Sequence, residues 1–351
     1  VPVRIERVIV HGRLRALHER WDVFLGPNGK IHEAVCLRGM NGTGKSTYLE
    51  MLAQLWLWFR NSATSGKYAA PTGNTALLKE VSRGDGSFVA ALFTDLPGPR
   101  SRMWIAYGGG KLLGEMMARD PDSPYRSPGD WGMSWEETTL KFWREAFGRA
   151  ESGIDPALDV PLMIAIEAEN KSVPELRKNE LTKAVSAPAY MPVARYLPTS
   201  RGPSHLEGMM RTLFLARPDR WELLARYVPD LRPGLHLDDR FDEATQRPRF
   251  RLYAGARGSG YEILTVDKLS AGERSLLINL CMILRWTRPG SIVLLDEPEL
   301  HQHLSLMGGS LAVIEAIVAE NGGQLFAASH APEVWNHFRR PGALIDLVGE
   351  G

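Results

Sequence analysis

The stretch CLRGMNGTGKSTYLEML, residues 36 to 52, decides how the chain is read. Gly39, Gly44, Lys45 and Ser46 fit the pattern G-x-x-x-x-G-K-[ST] of a phosphate-cradling loop. Ala34 to Leu37, just before it, is apolar and reads as a strand. KSTYLEMLAQLWLWFR, residues 45 to 60, has no Gly or Pro and carries apolar residues at helical spacing from Tyr48 to Phe59. A strand, a glycine loop and a helix bring backbone N–H groups together on phosphate oxygens at a helix N-terminus. Asn41, Gly42, Thr43, Gly44, Lys45, Ser46 and Thr47 are therefore the candidate nucleotide contacts. Lys45 would neutralise the β and γ phosphates, and Ser46 would place its hydroxyl on Mg²⁺.

Three more constellations follow in the chain. SIVLLDEPELH, residues 291 to 301, is an apolar run that ends abruptly in Asp296 and Glu297. That puts two carboxylates at the C-terminal edge of a buried strand, where open α/β sheets bind ligands. Asp296 can hold the Mg²⁺ shell while Glu297 orients or deprotonates a water. LSAGERS, residues 269 to 275, precedes a long helix, so Ser270, Ala271, Gly272 and Glu273 form a second anion-binding device at a helix start. His330 stands directly after the apolar strand QLFAAS, placed to donate a hydrogen bond to a γ-phosphate.

Composition sets the bounds. At 351 residues the chain holds about two domains or one large one. Forty-two Lys plus Arg against 41 Asp plus Glu leaves +1, so no overall charge points to nucleic acid or to an anionic membrane. Cys36 and Cys281 lie far apart, which argues against a disulfide framework or a cysteine zinc site, fits a reducing cytoplasm and leaves both as small buried hydrophobes. No run approaches the length of a transmembrane helix.

Outward from the loop, Val3 to Val10 alternates like a half-buried strand, and Asn28-Gly29 signals a hairpin. Residues 61 to 75 read as a loop, SFVAALFT and SRMWIAY as an antiparallel pair, and 119 to 135 as a loop. Ser134 with Glu137 forms a capping-box pattern for the next helix, whose Trp135, Trp143 and Phe147 suit a packed face better than base stacking. PLMIAIEAE and YMPVARYLP each read as a strand, with a charged helix from Pro174 to Val185 between them. Residues 205 to 228 favour helices broken at Pro218, and three short strands follow between 234 and 265. Helices alternating with apolar strands from 271 onward imply a parallel sheet covered on both faces. His301 to His303 lacks the further ligands of a metal site. The arginine-rich stretch from Arg247 to Arg257 suits DNA phosphates or a solvated strand face.

Gly39 to Thr47, Leu269 to Glu273, Leu294 to His301 and Ser329-His330 resemble, in order and spacing, the Walker A, signature, Walker B with D-loop, and switch-histidine motifs of the ABC-type ATPase superfamily. The resemblance implies an α/β P-loop fold with a mixed or parallel core sheet, helices on both faces, an antiparallel β subdomain and an inserted, mainly helical lobe. It also implies an ATP- and Mg²⁺-dependent homodimer in which Ser270 and Gly272 of one copy close over the nucleotide held by the other. Glu297 would be the general base and His330 the γ-phosphate sensor. DEPELHQHLS and SHAPEV are similar to the soluble RecF, SMC and OLD-like group, and Lys45 and Ser270, 225 residues apart, are far more distant than in a transporter's ATP-binding subunit. No long heptad stretch provides a coiled-coil arm, and the chain stops too soon after His330 for the nuclease domain of OLD proteins.

The expected organisation is a nucleotide lobe from residues 1–110 and 262–351 with an inserted lobe at 111–261. The expected function is a soluble cytoplasmic ATPase that switches a partner in trans, a nuclease or nucleic acid, in antiphage defence or DNA repair. A transporter's energising subunit and an ATP-holding scaffold are the rivals. One departure stands out: the family places a sensing glutamine between the Walker A helix and the signature, yet the glutamines are 54, 246, 302 and 324, and none falls in the expected interval from 55 to 245. The loop after ARYLP, with Ser200 and Arg201, is a candidate substitute, against which a surface arginine is the better reading.

Overall fold

The computed structural model describes residues 2–347 except 82–85, 110, 129–132, 154–159, 169–172, 174–189, 197–204, 254–259 and 302–303, and of 125–128, 133–135 and 304–307 it describes the backbone alone. The first half forms β1 (Arg4–Leu14), β2 (Leu17–Val23), β3 (Ala34–Arg38), α1 (Lys45–Ser65), β4 (Phe88–Thr94), β5 (Met103–Gly108), α2 (Lys111–Arg119), β6 (Tyr125–Pro128), β7 (Met133–Trp135), α3 (Glu137–Ser152) and β8 (Met163–Ile166). The second forms β9 (Val193–Arg195), α4 (Leu206–Ala216), α5 (Pro218–Leu231), β10 (Leu235–Leu237), β11 (Arg249–Tyr253), β12 (Tyr261–Thr265), α6 (Ala271–Trp286), β13 (Ile292–Asp296), α7 (Leu304–Glu320), β14 (Gln324–Ser329), α8 (Pro332–His337) and β15 (Leu344–Asp346).

The central sheet has the order β15-β3-β14-β13-β8-β9, and every pairing in it is parallel. Every residue of β13 and β14 is buried, which is why both read as unbroken apolar runs. Register levels the strand ends. Asp296 pairs with Ala328, and Ser329 pairs with Arg38, so the segments after β13, β14 and β3 leave the sheet side by side. A second, antiparallel sheet runs β2-β1-β4-β5, and α1 packs against strands of both sheets. On the remaining side α6 and α7 pack on each other and on β8 and β14. The fold class is thus the expected one.

Several local expectations change. The chain turns back at Arg15 into β2, a strand not read from the sequence because its exposed Glu19, Trp21 and Val23 lack a clean alternation. α1 runs on to Ser65 and stops at Gly66, left-handed at φ 74°, so the expected loop starts later than residue 61; Gly73–Glu80 is then a 3-10 helix. Ser134 lies in β7, and α3 starts instead after Glu136, so the expected capping box does not form. β6 and β7 pair within the expected 119 to 135 loop. Pro218 opens α5 at its first turn, where its missing N–H costs nothing. The helix expected at 174 to 185 lies outside the described residues.

β8 and β9 fall within residues 111–261 yet complete the central sheet, so the expected lobe boundaries do not divide it. Trp143 and Phe147 are buried against Trp56 and Phe59 of α1, with ring centroids 5.3–5.9 Å apart across the helices. They are core, as expected; the side chain of Trp135 lies outside the described residues. The arginine-rich strand is paired with acids: Arg251 with Asp238 and Asp239 at 2.7 and 2.9 Å, and Arg247 with the buried Glu207 at 2.7 Å. That favours the ion-paired strand face over a phosphate-binding one. Cys36 and Cys281 are free and buried, and burial pushes the Cys36 thiol up to about 12.

Candidate functional site

β3 delivers the glycine loop to the N-terminus of α1. Gly39 tolerates no side chain, because a Cβ there would lie 2.5 Å from the Leu347 carbonyl oxygen and 2.6 Å from Thr43 Oγ1. Gly44 caps the helix at φ 93°, a left-handed conformation that glycine adopts without strain, and its missing Cβ makes room for Leu17 of β2. The first amides of α1 have no partner within the helix. Lys45 is buried and folds back, its Nζ donating to the carbonyls of Gly39 at 3.0 Å and Met40 at 2.8 Å. Those are bonds to neutral carbonyls, weaker than an ammonium–phosphate contact.

Asp296 ends β13 next to this loop. Its carboxylate is buried, accepts the Ser46 hydroxyl, and leaves Oδ1 without a hydrogen-bond partner. Burial raises the Asp296 pKa to about 6 against the pull of the Ser46 bond, with the neighbouring Glu297 adding to the rise. A buried carboxylate oxygen with no partner beside a serine hydroxyl is a donor set of hard oxygens, which fits Mg²⁺. The folded-state pKa lies above the unfolded value of about 3.9, so between roughly pH 4 and 6 the folded chain keeps a proton that the unfolded chain releases. Stability of the nucleotide-free chain therefore falls as pH rises through that window and stays low above it. Asp296→Asn is expected to flatten this fall and to stabilise the apo chain at pH 7 by on the order of 2–3 kcal/mol. Urea midpoints at pH 4 and pH 7 check it; a variant as pH-sensitive as the wild type would refute the assignment.

One residue on, Glu297 has φ 41°, an uncommon angle for a residue with a Cβ and a form of strain that concentrates at functional sites. Its N–H donates to the Ala328 carbonyl at 2.9 Å, fixing it to the end of β14. His330, just past that strand, has Nδ1 at 3.4 Å from both Glu297 Oε1 and Glu299 Oε1. Glu299 was not singled out in the sequence, where it reads as one more acid of DEPELH. It is buried, and its Oε1 accepts from Ser329 Oγ at 2.5 Å and from the His330 N–H at 3.2 Å. Glu299 thus ties the segment after β13 to the segment after β14.

The loop and the acids share a cleft of about 410 Å³, whose lining includes Ser46, Thr47, Asp296 and Glu297. The decisive observation is the order of these groups on the sheet. The glycine loop follows β3, the histidine follows β14 beside it, the acid pair ends β13 next again, and the Ser270 helix immediately precedes that strand. This is a parallel α/β sheet with a glycine loop, an acid pair and a histidine side by side at one edge, the arrangement that the ABC-type resemblance implies.

No protein-family model and no curated protein matches the chain. Among solved structures, it is similar at 12% identity and a TM-score of 0.48 to an Smc head bound to the C-terminal winged-helix domain of ScpA, over 95% of this chain and 91% of that one. The SMC head domain from Thermotoga maritima gives 12% identity and a TM-score of 0.38, over 95% and 92%. A dimeric ATP-binding cassette in a post-hydrolysis state with ADP and Pi gives 12% and 0.36, over 99% and 97%.

Not every motif singled out in the sequence converges within one copy. Ser270 caps α6 in a complete capping box: its Oγ accepts from Glu273 N–H at 3.2 Å, and Glu273 Oε2 accepts from Ser270 N–H at 2.6 Å. Ser270 and Ala271 are exposed, and Ser270, Ala271, Gly272 and Glu273 are absent from the cleft lining. Gln54 and Gln324 do not line the cleft either; Gln324 is buried and bonds the backbone of Ile5 and His32. Ser200, Arg201, Gln302 and His303 lie outside the described residues. Among the described residues no cluster of acids, histidines and cysteines forms a ready metal site, and no helix is long and apolar enough to cross a membrane. The cleft does hold groups not expected from the sequence: Arg15, Glu50, Glu167 and Arg195.

Proposed function

We propose that the chain is an ATPase that takes ATP and Mg²⁺ in this cleft, closes as a homodimer over two nucleotides, and uses hydrolysis to switch an effector in trans. The observation that carries the reading is the bare, buried Asp296 oxygen beside Ser46 at the mouth of the glycine loop. Mg²⁺, when bound, supplies positive charge to the phosphates. Ser46 and Asp296 are the residues that would hold it. Lys45 exchanges its two carbonyl partners for phosphate oxygens, while the amides of Gly42 to Thr47 bind and orient the chain of phosphates. Glu297 accepts the proton of the attacking water, and His330, held on its backbone N–H by Glu299, donates to the terminal phosphate. The exposed Ser270 and the half-buried Gly272 meet the nucleotide of the second copy, which is where a preformed helix N-terminus outside its own cleft can act. We assign residues 1–110 and 262–351, with β8 and β9, to the nucleotide lobe. The effector is a nuclease or nucleic acid, in antiphage defence or DNA repair.

Lys45→Ala tests the reading. Titration calorimetry with Mg²⁺–ATP is expected to give tight binding for the wild type and a loss of about 100-fold or more for the variant, from the removal of a charge-assisted contact in a covered site. Equal affinities, or no binding by the wild type, would overturn it.

A further inference from the structure

The wall of the cleft away from the glycine loop is built by β8 and β9, on the far side of β13 from β3. Arg195 is the last residue of β9. Its Nη2 lies 2.8 Å from Glu50 Oε2 of α1, and its Nη1 lies 2.9 Å from Glu167 Oε1, immediately past β8. Glu50 is further held by Gln54 Nε2 at 2.5 Å on its other oxygen. The arginine is 19% exposed, whereas Glu167 is 51% exposed and free to turn into water. The guanidinium is thus sheltered, and one of its two partners is not.

We propose that Arg195 is a ligand for the terminal phosphate of a nucleoside triphosphate, held between Glu50 and Glu167 until that phosphate arrives and draws it away. The inference rests on the ATP reading of the same cleft. The lining carries four carboxylates, Glu50, Glu167, Asp296 and Glu297, against two arginines. Arg15 already has a partner outside that lining, Glu80, at 2.7 Å. A polyphosphate anchored on the loop and extended past Asp296 next meets the β8–β9 wall, where Arg195 is the cation. An ion pair with a half-exposed carboxylate is weak in water, while a forked guanidinium–phosphate pair inside a cleft is stronger and directional. The exchange therefore runs toward a triphosphate. A diphosphate falls short of this wall and leaves Arg195 with its acids, so the residue discriminates ATP from ADP. Glu167 sets the threshold, because it competes for the same guanidinium.

The test is calorimetric titration of the full chain with Mg²⁺ and either a non-hydrolysable ATP analogue or ADP. Arg195→Ala is expected to weaken the triphosphate about tenfold and ADP less than about twofold, the difference being one charge-assisted contact. Glu167→Gln, an exposed change that leaves the fold in place, is expected to strengthen the triphosphate by about threefold, and this gain is expected to vanish in the Arg195→Ala background. Equal loss of both nucleotides in Arg195→Ala would sink the proposal and leave the ATP reading standing. So would a Glu167→Gln gain of the same size with and without Arg195, since that is simple charge relief. A wild type that binds neither nucleotide would overturn both.

Discussion

Glu297→Gln is expected to slow ATP hydrolysis by about 10²- to 10⁴-fold while leaving nucleotide affinity close to that of the wild type. The substitution keeps the length and shape of a side chain whose backbone is held at φ 41° by the bond from its N–H to Ala328, so the strand end has no reason to move. Glutamine can still meet His330 Nδ1, which lies 3.4 Å from the native carboxylate. What it cannot do is accept a proton from water, and that is the one function assigned to Glu297 and not to Asp296. Lys45, Ser46 and the loop amides, which would hold the phosphates, are untouched. If two copies close over two nucleotides, the variant has no route to reopen by turnover, and it accumulates as a dimer. Size-exclusion chromatography with ATP and Mg²⁺, alongside phosphate release, reads both effects. Turnover within about tenfold of the wild type would remove Glu297 from the role of base, and a monomer at saturating ATP would remove the closed dimer.

The sequence made the site legible wherever its chemistry depends on short local patterns. A glycine loop, an acid pair after an apolar run and a serine before a helix each declare themselves within ten residues, and register then brings the first two together. The residues not foreseen act through long-range placement. Arg195 reaches Glu50, 145 positions earlier, only because β9 pairs beside β8. Glu299 gains its role from Ser329 and His330, delivered by a neighbouring strand. β2 was missed for a related reason: its Trp21 and Val23 are exposed and its register is fixed by β1, so the strand lacks an alternation of its own. The capping box at Ser134 failed because β6 and β7 pair there, and a tertiary ladder overrides a local cap.

Trp143→Ala is expected to destabilise the chain by about 3–5 kcal/mol, the cost of removing a large ring from a closed core. Trp143 is 1% exposed on α3. It meets Trp56 edge-on at 5.8 Å, Phe59 at 5.3 Å and Phe147 at 5.4 Å. These rings join α3 to α1, and the ion pair from Arg60 to Glu151, at 2.6 Å, closes the same joint nearer the solvent. α1 is also the helix whose first turn carries Lys45 and Ser46, 10 or more residues from Trp56. A cavity at Trp143 therefore loosens the far end of the helix and leaves the glycine loop, braced by Leu17 and Leu347, in place. Urea unfolding should show the loss, and nucleotide affinity at low temperature should stay within about threefold of the wild type, since no phosphate contact is touched. The opposite pattern, full stability with impaired nucleic-acid binding, would return Trp143 to the base-stacking role that its burial argues against.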